Sequence, residues 1–99
     1  MTIAFERTGG LMGRTISLDL DLDEMPADQS ATLKRLVDES DFFELSDAPK
    51  KTSRLDEFSY TITITTGTIH HTIRISDSSA PESLRPLLRE LSTYARNSR

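Results

Sequence analysis

The sequence predicts a two-layer α+β fold in which a four-stranded antiparallel sheet carries two helices on one face, in the order ββαββα. Three observations predict it. Two separate pairs of segments alternate apolar and polar residues with period two, each pair is followed by a stretch with apolar residues at helical spacing, and the 99 residues have room for one core only. A single domain spanning residues 1–99 is therefore expected.

The elements follow in order. Ile3 and Phe5 alternate with Thr2, Ala4 and Glu6, and Ile16, Leu18, Leu20 and Leu22 alternate with Ser17, Asp19 and Asp21. Both runs read as half-buried strands. Between them, Gly9-Gly10-Leu11-Met12-Gly13 supplies glycines able to adopt turn conformations closed to other residues, so a hairpin with a loop of about five residues is expected. Pro26 suits a first helical turn, and Leu33, Leu36, Val37 and Ser40 repeat at helical spacing, which predicts a helix over 26–40. Phe42, Phe43 and Leu45 then fold back onto the core. Ser46 to Glu57 has little periodicity and reads as the longest and most mobile loop.

The second hairpin gives the clearest signal. Phe58, Tyr60, Ile62 and Ile64 alternate with Ser59, Thr61, Thr63 and Thr65, and beyond Thr66-Gly67-Thr68 come Ile69, His71, Ile73 and Ile75 against His70, Thr72 and Arg74. Ser79 and Glu82 have capping-box spacing ahead of Leu84, Leu87, Leu88 and Leu91, an amphipathic second helix. Pro86 requires that this helix either kinks there or begins there. Arg85, Arg89, Arg96 and Arg99 read as charge complementing the helix C-terminal dipole. Asp19, Asp21, Thr61, Thr63, His70, Thr72 and Arg74 are expected on the solvated sheet face; strand order does not follow from the pattern.

Composition excludes several classes of activity. With 12 Lys and Arg against 16 Asp and Glu, the net charge of −4 argues against a nucleic-acid partner, because phosphate binding depends on Lys and Arg. No Cys is present, so thiolate chemistry and disulfides are absent. No apolar run approaches the roughly 20 residues of a membrane span, and no secretory signal is visible, which gives the cytoplasm as the expected location. Asp19, Asp21, Asp23 and Glu24 lack the glycine and distal Glu of a calcium loop, and His70 and His71, as strand neighbours, face opposite ways and cannot share an ion. No metal, cofactor or catalytic residue is expected. Gly9-Gly10-x-x-Gly13 sits inside a hairpin rather than ahead of a helix, unlike a phosphate-binding loop.

Leu11 and Met12 stand apart. A glycine-flanked hairpin tip is usually polar, so two large apolar side chains there either tuck under the sheet or meet a partner.

Taken together, Phe5-Glu6-Arg7-Thr8-Gly9-Gly10-Leu11-Met12-Gly13, Asp41-Phe42-Phe43-Glu44-Leu45, Phe58-Ser59-Tyr60-Thr61-Ile62 and His71-Thr72-Ile73-Arg74-Ile75-Ser76-Asp77, followed by Pro81 and Leu84-Arg85-Pro86-Leu87-Leu88, resemble the emfourin family over nearly the whole chain. That resemblance implies a non-enzymatic protein inhibitor of thermolysin-family zinc metallopeptidases, protealysin-like enzymes included. Such enzymes hold zinc through a helix-borne H-E-x-x-H motif and prefer a bulky apolar side chain just after the scissile bond. The expected inhibitory loop is Gly9, Gly10, Leu11, Met12 and Gly13, with Leu11 or Met12 filling that pocket and Arg7, Arg14 and the 46–56 loop flanking it. A monomer is expected when the protein is free. The alternative is a non-inhibitory interaction module that binds a partner through a sheet edge or the threonine-rich face.

Overall fold

A computed structural model of the chain describes residues 1–9, 14–47 and 57–97. The strands are β1 (Thr2–Gly9), β2 (Arg14–Asp21), β3 (Phe58–Thr66) and β4 (Ile69–Ser76), and the helices are α1 (Ala27–Glu39) and α2 (Arg85–Asn97). Three short 3-10 turns, Leu22–Glu24, Phe42–Glu44 and Glu82–Leu84, lie between them. The predicted order ββαββα and the two-layer α+β architecture hold. Residues 10–13 and 48–56, which include the tip of the first hairpin and most of the long loop, lie outside the described residues.

The sheet order is β2-β1-β3-β4, antiparallel throughout. The two hairpins therefore meet through β1 and β3, and β2 and β4 are the edges. Register places Leu18, Phe5, Ile62 and Ile73 in one row across all four strands, and all four are buried beneath the helices. One residue along, Asp19, Ala4, Thr63 and Thr72 form a row on the opposite, solvated face. There the Thr63 and Thr72 hydroxyls are 2.8 Å apart, and Thr65 Oγ1 is 2.8 Å from His70 Nδ1. The period-two reading thus assigned the faces correctly. Ile69 is the exception, 52% exposed at the start of β4 although its parity is apolar. It adjoins the two-residue turn, where Gly67 takes a positive φ of 58°.

α1 buries Leu33, Leu36 and Val37 against the sheet, each worth about 2 kcal/mol relative to exposure. At its end the buried Ser40 hydroxyl donates to the Val37 carbonyl at 2.7 Å, and Asp41 adopts a left-handed φ of 53° that stops the helix. The chain then turns inward, burying Phe42 completely between Phe43 and His71, whose rings it meets edge-on at 5.6 and 5.5 Å. His71 Nε2 donates to the Leu45 carbonyl at 2.6 Å. Asp47 finishes this staple: its carboxylate accepts from the Arg74 amide at 2.8 Å on the outer edge of β4. An open row of amides invites another strand, and the Asp47 side chain blocks it at that point.

Two expectations about the second helix need correction. Ser79 does not cap it; the Ser79 side chain is buried in the turn after β4, where its oxygen accepts from the Ser76 amide at 2.8 Å. Pro81, without any side-chain capping bond, precedes the 3-10 turn. Pro86 is the second residue of α2, so the proline marks a beginning and not a kink. Arg85 consequently lies at the N-terminal end, and among the described residues only Arg96 occupies the last turn to meet the C-terminal dipole. The helices run antiparallel, tied by Ser83 Oγ to the Ser40 carbonyl (3.3 Å) and by the Tyr94 hydroxyl to Gln29 Oε1 (3.3 Å).

The acidic run after β2 also has a structural account. Asp21 accepts from the Asp23 amide at 3.0 Å and so caps the 3-10 turn Leu22–Glu24.

Candidate protein-binding site

Three connections leave the sheet at one end. β1 stops at Gly9, which pairs with Arg14 at the start of β2 and with Phe58 at the start of β3, and β4 stops alongside at Ser76. The 10–13 loop, the exit of the 48–56 segment and the turn into α2 are therefore rooted side by side.

Gly9 has a φ of 115°, a conformation L side chains rarely adopt. A Cβ there would sit 2.7 Å from the Glu57 carbonyl oxygen. Glycine at this position thus lets β3 begin flush against the root of the first loop. Glu57, only 7% exposed, accepts a hydrogen bond from the Ser78 amide through Oε1. Asp77 clamps the same junction from the other side. Its Oδ2 accepts from the Phe58 amide at 3.1 Å, its Oδ1 accepts from the Tyr60 hydroxyl at 2.6 Å, and its own amide donates to the Phe58 carbonyl at 3.1 Å. Arg85 Nη2 donates to the Asp77 carbonyl at 3.1 Å. The roots are held by backbone pairing together with the buried Glu57 carboxylate and the exposed Asp77 carboxylate.

Tyr60 lies beneath this junction, stacked 6.0 Å from Phe5. Burial pushes its hydroxyl pKa well above the ordinary value of 10.0, the bond to Asp77 pushes the same way, and the Arg7 and Arg85 charges oppose without reversing the shift. A raised folded-state pKa gives stability that is complete below the unfolded pKa and is lost as pH rises above it, because only the unfolded chain then releases the proton. Wild-type unfolding free energy is expected to fall above about pH 10 with a slope of at most about 1.4 kcal/mol per pH unit from this group. Tyr94 is shifted in the same direction, so the contribution of Tyr60 is read as the difference between wild type and Tyr60→Phe in urea unfolding across alkaline pH. Parallel curves for the two proteins would contradict it.

Of the residues expected to meet a partner, Arg7, Gly9 and Arg14 are brought together at this end. Gly10, Leu11, Met12 and Gly13 fall outside the described residues. Arg7 shares the apolar-side parity of Ile3 and Phe5, and its guanidinium carbon lies 4.7 Å over the Phe58 ring. Sequence reading missed Glu57, Tyr60, Asp77 and Arg85 as the frame of the site. No local pattern marks Asp77 and Glu57, whose contacts span 17 and 21 positions.

The described residues thus form a two-layer scaffold in which the roots of three connections meet at one sheet end. The chain belongs to the emfourin family, whose family model matches residues 5–92, from β1 into α2. Members of that family inhibit metallopeptidases and are not themselves enzymes. Neither the curated proteins nor the solved structures compared with the chain gave a match.

Proposed function

We propose that this protein inhibits thermolysin-like zinc metallopeptidases, protealysin-like enzymes among them, by seating the loop-bearing end of its sheet in the active-site cleft. The observation that carries this reading is the family match over residues 5–92. The fixed root at Gly9 supports the assignment of the 9–13 loop as the inserted segment. Both ends of that loop are held in paired strands, so its ordering cost on binding is smaller than that of a free peptide. Leu11 or Met12 fills the apolar pocket next to the zinc, and the 46–56 loop makes flanking contacts.

Titration of thermolysin, assayed on a peptide substrate, tests the proposal. Activity is expected to fall in proportion to added protein until about one equivalent is present, with competition by substrate. Full activity of several thermolysin-like enzymes at excess protein would rule it out.

A further inference from the structure

Arg7 is the cation whose setting the fold leaves unexplained. Its side chain lies on the helix-bearing side of β1, its guanidinium stands over Phe58 at 4.7 Å, and its Nε is buried with no hydrogen-bond partner among the described residues. Two carboxylates sit at the same end, each engaged with other groups among the described residues. Asp77 spends its oxygens on Tyr60 and the Phe58 amide, and Glu57 turns Oε1 to the Ser78 amide. Arg14, opposite Gly9, and Arg85, on the Asp77 carbonyl, add two further positive charges around it. This gathering occurs in a chain whose net charge is −4.

In a guanidinium, Nε–H and a neighbouring Nη–H form a planar fork matched to a carboxylate. Burial of Nε without a partner among the described residues is unfavourable in the free protein, and a side-chain shift that carries the fork to an arriving acceptor relieves it. We propose that Arg7 is a receptor for a carboxylate side chain of the bound peptidase, with Arg14 and Arg85 providing the surrounding positive field. This rests on the inhibitory reading above and adds the chemistry of the partner surface: an acidic residue at the rim of the cleft, meeting the root of the inhibitor's loops. The flanking charges raise the encounter rate, and the fork sets the lifetime of the complex.

The test is inhibition of thermolysin by wild type, Arg7→Gln and Arg7→Lys, each checked for folding by its thermal midpoint and measured from low to high ionic strength. Arg7→Gln is expected to raise the inhibition constant about tenfold or more, and Arg7→Lys to recover little of it, because an ammonium keeps the charge but lacks the fork. Wild-type inhibition is expected to weaken with salt, chiefly through slower association. Wild-type potency in Arg7→Gln overturns the proposal alone, as does full potency in Arg7→Lys, which would leave only a role in packing on Phe58. If neither variant folds, the wild-type salt series decides: weakening supports the proposal, and salt-independent inhibition overturns it. Failure of the wild-type protein to inhibit any thermolysin-like enzyme removes the inhibitory reading itself, and this proposal with it.

Discussion

Gly9→Ala is expected to lower folding stability by about 3 kcal/mol, measured by denaturant unfolding, and to weaken inhibition in the same preparation. Two separate costs combine. The backbone at Gly9 has a φ of 115°, which alone strains any L residue by about 1–3 kcal/mol. The added methyl would also meet the Glu57 carbonyl oxygen at 2.7 Å, and that atom belongs to the backbone and cannot rotate away. Retreat of Glu57 would pull its buried carboxylate from the Ser78 amide and disturb the first pair of the β1–β3 ladder. Gly67→Ala is the control. Gly67 also has a positive φ, 58°, but nothing lies within 4 Å of its absent Cβ, so about 1 kcal/mol is expected. Equal costs at the two positions would show that the Glu57 contact contributes nothing.

Leu11→Ala combined with Met12→Ala is expected to weaken inhibition of thermolysin by more than about thirtyfold, since truncating a buried anchor typically costs roughly 2 kcal/mol or more. The unfolding midpoint separates the two fates open to these side chains. If they enter the peptidase, potency falls and stability holds; if they tuck under the sheet, stability falls and the folded fraction inhibits normally. Unchanged potency would move the inserted segment to the 46–56 loop.

Much of the fold was legible because β1, β3 and β4 have solvent on one face and helices on the other. Alternation there leaves a direct mark, and Ile3, Phe5, Ile62, Ile64 and Ile73 are all buried as it requires. Strand order was not legible, since local alternation says nothing of which apolar strand pairs with which; the long-range pairing of β1 with β3 decided it. The Ser79 capping spacing misled because Ser79 is held by Ser76 in a tight turn, which preceded any helix. Arg7 was named as a contact residue although its parity with Ile3 and Phe5 puts it on the apolar side. In the structure Arg7 packs on Phe58 at the end of β1. The junction of Glu57, Tyr60 and Asp77 was invisible because each bond spans distant positions.

The central placement of β1 bears on what a peptidase could accomplish by cutting its inhibitor. Hydrolysis between Gly9 and Arg14 would detach the first strand covalently from the rest of the chain, yet that strand is bonded along its whole length on both sides, to β2 and to β3. Ile3 and Phe5 would remain locked in the core. Gly9 and Arg14, on either side of the cut, would stay paired at the root of the loop. A strand in the middle of a sheet is thus a device for surviving a nick: the cut product keeps the shape of the intact protein, and proteolysis gains little from a single cleavage.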